Sequence, residues 1–527
     1  MFNLGTSAVA KGKPKPPKRN SALQEFLRQT KQSLPFPAAQ PGQTKSASVD
    51  VHATLTGLYS VDQRRLGRLN KTRLQKELTL YQKQHNQDGP GAKLEAFWET
   101  DTQFSMPRFY GLKTFGVPKT QGLSVGAPMH DIKTTFQPDP ERHQPQAMYA
   151  LERGLAKPGW HGGMLCLPCG FGKTALAIAT AIQIVGKLEG RPRRTLVIVH
   201  NSILLEQWQQ RLLQFAPEAK VGVIRQNRCE VDGFDFVVGM VQSLVKRNYP
   251  GLDTFGMVIL DEAHHMAAPY FQQALPKLRA KYLLALSATM RRKDGLEPLL
   301  HYFMGDVLFH RERHHMVDEV KVQVKRLIYA GGQQKVVQKG KHVIEPLMAR
   351  CLAADRGRNE VILQQIARYY RDPQRKILVL STLMDRHLKP LLQTLTRKRL
   401  DVGLLEAKVK DPTIRREALS RRIVLATYRM AKEGLDEPFN TLIFALPRAD
   451  VEQAIGRITR GDQDGPEPIA IDMVDPFSCY DGYAYCRKTL YRRLKYPCED
   501  VEVSSIVDQS TTTSLAVVSA PANFSLV

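Results

Sequence analysis

At 527 residues the chain is too long for one ordinary hydrophobic core, and two or three domains are expected. Its apolar fraction of 43% is that of a chain that folds, and no run of about 18 apolar residues is present to span a membrane. Lysine and arginine number 76 against 51 acidic residues, a formal net charge of +25, which predicts a polyanionic partner, nucleic acid before an anionic membrane.

The seven cysteines, an odd number, suit free thiols in a reducing compartment. Met1–Ala10 is too short and too weakly apolar for a secretory signal. Residues 1–50 read as a disordered basic tail, because the proline-broken run KGKPKPPKR at Lys11–Arg19 cannot build a core. Residues 51–135 read as a small accessory α+β domain: Leu66–Gln84 carries leucines at helical spacing, and Phe97–Tyr110 alternates like strands.

From residue 136 the pattern changes to apolar strands each followed by a helix-sized segment. One series comprises Met164–Leu167, Thr195–Val199, Phe236–Val238, Met257–Leu260 and Leu283–Leu286. A second comprises Val320–Tyr329, Ile377–Leu380, Ile423–Ala426, Leu442–Ala445 and Ile469–Met473. Alternating strands and helices imply parallel sheets covered on both faces, hence two tandem α/β domains over 136–312 and 313–500. Residues 501–527, with almost no charge, read as a flexible tail.

The first series carries a phosphate loop. Gly170, Gly172, Lys173 and Thr174 join a buried strand to a helix in the order G-x-G-K-T. Glycines let backbone N–H groups turn toward phosphate oxygens at a helix N-terminus, Lys173 reaches the outer phosphates of ATP, and the Thr174 hydroxyl ligates Mg2+. Downstream, the strand ending at Leu260 runs straight into Asp261 and Glu262, which sets two carboxylates in the crevice where parallel sheets bind ligands. Asp261 is the second candidate for magnesium, and Glu262 the base that activates water. Ser287 and Thr289 follow the next apolar strand, where they either couple the nucleotide site to movement or cap a helix. Cys166 and Cys169 form a CxxC, but within this loop and with no second pair at zinc spacing.

The ordered stretches LPCGFGKTAL, LVIVHNSILLEQW, VILDEAHH, LALSATMRRKDGL, LATYRMAKEGLD and QAIGRITR resemble superfamily 2 helicases of the XPB-like branch, which includes phage recombination helicases. PRFYGLKTFG at Pro107–Gly116 and VEQAIGRITRG look more narrowly like the transcript-release and late-transcription helicases of large nucleocytoplasmic DNA viruses, of poxvirus, iridovirus and asfarvirus type.

The resemblance implies two RecA-like domains and further site residues. Gln146 would read adenine, though its surroundings depart from the family's L-R-P-Y-Q. Gly434 and Asp436 would sense nucleotide and strand. Gln453, Arg457 and Arg460 would form the closing motif, with Arg460 as arginine finger and Arg457 on the γ-phosphate. The two arginines lie three apart on a predicted helix and so share a face. His200, Asn201 and Ser202 in the first domain, and Ser381 and Thr382 in the second, would hold the strand.

It also implies a DNA partner, single-stranded or in a DNA–RNA hybrid, with an RNA polymerase elongation complex beside it and a place at viral replication sites in host cytoplasm or nucleus, or in the virion. Two other readings stay open, a branch-migrating repair motor and a nucleic-acid-binding scaffold without catalysis; a third, a restriction-type translocase subunit, would need a nuclease or methylase partner, and no PD-x-K-like or methylase-like constellation is evident in the sequence.

Overall fold

The computed structural model describes residues 52–82, 92–168, 170–265, 273–288, 295–311, 322–329, 331, 336–339, 342–409, 411–435, 437–458 and 465–503. All of them lie in the second of two units into which the chain divides, Asp50–Val527. The expected basic tail falls outside the described residues.

Three main sheets carry the fold. The first runs in the order Trp98–Glu99, Gln103–Pro107, Leu58–Asp62, Ala53–Leu55, Thr120–Gln121 and is mostly antiparallel. Its alternation is the expected one for a sheet with one covered face: Tyr59 and Val61 stand opposite Met106 and Phe104, and all four are buried. The predicted strand character of Phe97–Tyr110 stops at Pro107, because Arg108–Phe115 is a helix. The predicted helix of Leu66–Gln84 is Arg68–Glu77, followed by the strand Thr79–Tyr81.

The second sheet has eight strands in the order Arg228–Cys229, Val221–Arg225, Phe236–Met240, Thr195–Val199, Met257–Leu260, Tyr282–Ser287, Gly162–Cys166, Val307–His310. All neighbours are parallel except the first pair. The central strands TLVIV and MVIL are buried throughout, as helices on both faces require. The third sheet is parallel across all seven strands: Val402–Leu404, Ile423–Thr427, Ile377–Ser381, Thr441–Phe444, Ile469–Val474, Gln323–Tyr329, Cys498–Val503. Residues 501–503, expected in the tail, complete its edge strand.

No seam falls at residue 135. Beyond Thr120–Gln121 the chain runs as a strap along the second sheet: Ala127 N–H donates to Thr254 O and Met129 N–H to Pro192 O, at 2.9 Å each. Met129, Ile132 and Phe136 belong to one of that sheet's apolar clusters.

The helix Arg108–Phe115 locks the accessory sheet onto the same body. Phe109 lies against two glycines, where a Cβ at Gly162 or Gly305 would come within 3 Å of its ring. The buried Arg108 guanidinium donates to the carbonyls of Trp160, Ala280 and Lys281 at 2.5, 3.2 and 2.9 Å. With carbonyls rather than a carboxylate as acceptors, burial pulls its pKa down to about 9.

The second and third sheets meet through helices. Ser202–Phe215 packs against Tyr428–Gly434, and Ile203 joins the third sheet's apolar cluster.

Candidate active site

The strand Gly162–Cys166 ends in a loop that turns into the helix Lys173–Ala179. Gly170 and Gly172 have φ of 89° and 79°, a region open to glycine at little cost. A Cβ at Gly172 would sit 2.8 Å from Gln144 Nε2. Glycine at 172 therefore lets the loop close against the Gln144 amide. Lys173 Nζ donates to Leu167 O at 2.8 Å and Pro168 O at 3.2 Å, which holds the ammonium across the loop's own carbonyls. Thr174 occupies the first turn of the helix and is part-exposed. Cys166 is buried and its thiol is pushed up to about 12, so it is an inert core residue. Cys169 lies outside the described residues.

Gln144, not Gln146, binds this loop. Its Nε2 donates to Phe171 O at 2.9 Å while its Oε1 accepts from Asp139 N–H at 2.8 Å. Gln146 Oε1 is buried with no hydrogen-bond partner among the described residues. The helix Gln144–Ala156 buries Gln144, Ala147, Leu151 and Leu155, so Gln144 opens its inward face. That spacing was the signal for it.

Asp261 and Glu262 sit where Met257–Leu260 leaves the sheet. Asp261 N–H donates to Ile198 O at 3.0 Å, which extends the ladder one residue past the strand. Its carboxylate is held by two donors, Trp208 Nε1 on Oδ2 at 2.8 Å and Glu262 N–H on Oδ1 at 2.9 Å. Burial, then the Glu262 charge, pushes the Asp261 carboxyl up to about 6 against the pull of Trp208 and Lys173.

Glu262 has φ of 49°, rare for a residue with a side chain. Its Oε2 lies 3.3 Å from His264 Nδ1, the same nitrogen that lies 3.4 Å from Ser287 Oγ. His264 therefore stands between Glu262, the candidate base, and the candidate coupling serine, a place the sequence did not suggest. Thr289 lies outside the described residues.

These residues suit a magnesium nucleotide. The loop turns at Gly170 and Gly172 just ahead of the helix Lys173–Ala179, the Asp261–Glu262 pair leaves a strand of the same parallel sheet, and Glu262 Oε2 is buried with no hydrogen bond among the described residues shorter than its 3.3 Å approach to His264 Nδ1. Among the described residues no three His, Cys, Asp or Glu side chains converge on a metal position. Magnesium here would thus rest on Thr174, Asp261 and the phosphates themselves.

The strand-contact candidates separate by burial. Asn201 Oδ1 caps the helix Ser202–Phe215 by accepting from Leu204 N–H at 2.8 Å, and its Nδ2 is 3.1 Å from His200 Nε2. Ser202 opens that helix and is part-exposed. Ser381, expected to touch nucleic acid, is fully buried, with its hydroxyl 2.9 Å from His387 Nδ1. Thr382 beside it is exposed.

The closing motif departs further from expectation. The helix there is only Glu452–Ile455, so Arg457 is not on it. Arg457 is buried and donates to the carbonyls of Ala431 and Leu435 at 2.9 and 2.8 Å. It braces the segment that ends in Gly434, the last residue of the helix Tyr428–Gly434. Gln453 is part-buried on the short helix. Arg460 and Asp436 lie outside the described residues.

Residues 137–292 match the family model for the res subunit of type III restriction enzymes. A protein of Acanthamoeba polyphaga mimivirus, named as an ATP-dependent RNA helicase, is 30% identical over 426 residues, which cover 78% of each chain. One of African swine fever virus with the same kind of name is 26% identical over 360 residues, 63% of this chain and 69% of that one. Among solved structures, the ATP-dependent type ISP restriction-modification enzyme LlaBIII bound to DNA aligns at a TM-score of 0.50 and 14% identity, covering 71% of this chain and 32% of that one. At that identity the likeness speaks for the fold alone.

Proposed function

Since the chain belongs to the superfamily 2 helicases of large DNA viruses, ATP-driven motors on nucleic acid, we propose that it works on DNA, where it strips the transcript from its template during viral transcription. The observation that carries the motor is the meeting of Lys173, Asp261 and Glu262 at one sheet edge, within reach of His264 and Ser287. The mimivirus and swine fever relatives, and the PRFYGLKTFG segment, support the viral setting.

In this reading ATP enters over the Gly170–Gly172 cradle, and its phosphates draw Lys173 away from the carbonyls of Leu167 and Pro168. Magnesium, held by Thr174 and Asp261, would supply the positive charge that offsets the phosphates. Glu262 takes the proton of the attacking water. His264 passes the loss of the γ-phosphate to Ser287 and the strand behind it. The arginine finger in this reading is Arg460. Nucleic acid crosses both domains at His200, Asn201, Ser202 and Thr382, held mainly by its phosphate backbone. Closing and opening of the cleft advance the protein along one strand. An RNA polymerase elongation complex is the partner, met at viral replication sites.

The test is ATP hydrolysis with and without single- and double-stranded DNA, beside transcript release from a stalled elongation complex. Stimulated hydrolysis with release supports the whole reading. Stimulation with four-way-junction migration and no release replaces it by a recombination motor. Binding without hydrolysis on any nucleic acid leaves a scaffold.

A further inference from the structure

The mechanism above leaves one buried polar contact unused. Trp208 lies on the inward stripe Leu205, Trp208, Leu212 of the helix Ser202–Phe215, where an aliphatic side chain would pack without any polar group to satisfy. Instead its indole N–H donates to Asp261 Oδ2 at 2.8 Å, with both residues buried. The two partners ride on different elements. Asp261 is pinned to the sheet through its own N–H on Ile198 O. Trp208 belongs to a helix whose N-terminal end carries His200, Asn201 and Ser202 and whose Ile203 packs into the second domain.

From Ile203 to Trp208 is five residues, about 7.5 Å of rigid helix. A shift of the helix end against the sheet therefore reaches the indole almost undiminished. An indole N–H has no rotor, so its direction is set by the helix and a carboxylate cannot follow it by spinning a hydroxyl. The other Asp261 oxygen is fixed by Glu262 N–H, so the carboxylate plane depends on where the indole stands.

Building on the motor reading, we infer that Trp208 is a positioning residue that orients the Asp261 carboxylate for magnesium and makes that orientation follow the grip on nucleic acid at the helix's N-terminal end. The side chain acts through Asp261 and touches neither nucleotide nor strand.

The test is equilibrium binding of a fluorescent ADP by the full chain and its Trp208→Phe variant, over a magnesium titration, with and without a DNA oligonucleotide. Phe keeps the ring and drops the donor. The expected result is unchanged ADP affinity without magnesium, an apparent magnesium affinity lower by about tenfold, and loss of the effect of DNA on it. Trp208→His, which returns an N–H near the same place, should recover part of the loss; should the Phe variant not fold, Asp261→Asn in the full chain carries the test, since the inference requires it to abolish the effect of DNA on magnesium-ADP affinity, and its retention would overturn it.

The inference is overturned if the Phe variant keeps the wild-type effect of DNA on magnesium-ADP affinity, or if affinity without magnesium falls equally, which would make Trp208 a packing residue. DNA-independent ATP hydrolysis by the wild type would instead count against the motor reading, a result separate from either variant's.

Discussion

At the carboxyl edge of the first motor sheet the second acid is held by a long contact; at the same edge of the second, polar groups are locked to one another. The first edge holds Glu262 at φ 49° with Oε2 buried 3.3 Å from His264 Nδ1, and an Asp261 carboxyl pushed up to about 6. At the second, Arg358 makes a two-pronged bond to Asp475 at 2.7 and 2.8 Å and reaches Ala445 O, all of it buried. Beside that pair Ser381, His387 and Asn359 form a closed chain with 2.9 Å links. One plan of strands feeding helices thus gives one edge with a loosely held acid on a strained backbone, and a stiff one where a buried ion pair and a hydroxyl–imidazole–amide chain fix the polar groups.

Glu262→Gln should break the comparison at its reactive side. It keeps shape and removes the base, so hydrolysis should fall by roughly 10²–10⁴-fold while nucleotide affinity stays, read from single-turnover rates beside ADP binding. Arg358→Met probes the stiff side. It strands a buried Asp475 carboxylate, and unfolding should cost about 3–5 kcal/mol less in urea titration, with nucleotide affinity of the first domain unchanged.

A smaller effect comes through pH. Burial, helped by the Arg358 charge, lowers the His387 pKa from its ordinary 6.5 to about 3. The unfolded chain takes up a proton below 6.5 and the native one does not until about 3, so stability is full above 6.5 and falls as pH drops. Between pH 7 and pH 5 the loss should be about 2 kcal/mol, and His387→Gln should flatten that slope in urea titrations at the two pH values. Smallest is Asn201→Ala, which removes the cap of Ser202–Phe215 at about 1 kcal/mol by thermal unfolding. Asn201→Ser keeps a cap, so any loss of DNA affinity that persists in it measures strand contact by the amide itself.

What the sequence made legible was local. The phosphate loop and the Asp261–Glu262 pair announce themselves because strand, glycine turn and helix follow one another within a dozen residues. Illegible features depend on distant partners. Gln144 and Gln146 are two residues apart, and only the face of a helix decides which meets the loop. Trp208 reads as core until its N–H is seen to find Asp261. Arg457 sits in a basic motif and yet spends its guanidinium on the carbonyls of Ala431 and Leu435. The edge strand Cys498–Val503, exposed or part-exposed along its length, has no apolar signal to read.

The Arg108 bonds bear on inheritance. The accessory sheet and the first motor domain share one guanidinium, three carbonyls and two glycines fitted to Phe109, so neither half is complete without the other. A gene cut at residue 135 would part the arginine from its acceptors and Phe109 from its slot. Shuffling of whole exon-like pieces is therefore closed to this motor at that point. Its front end can change by point substitution, or be exchanged together with the sheet it stands on.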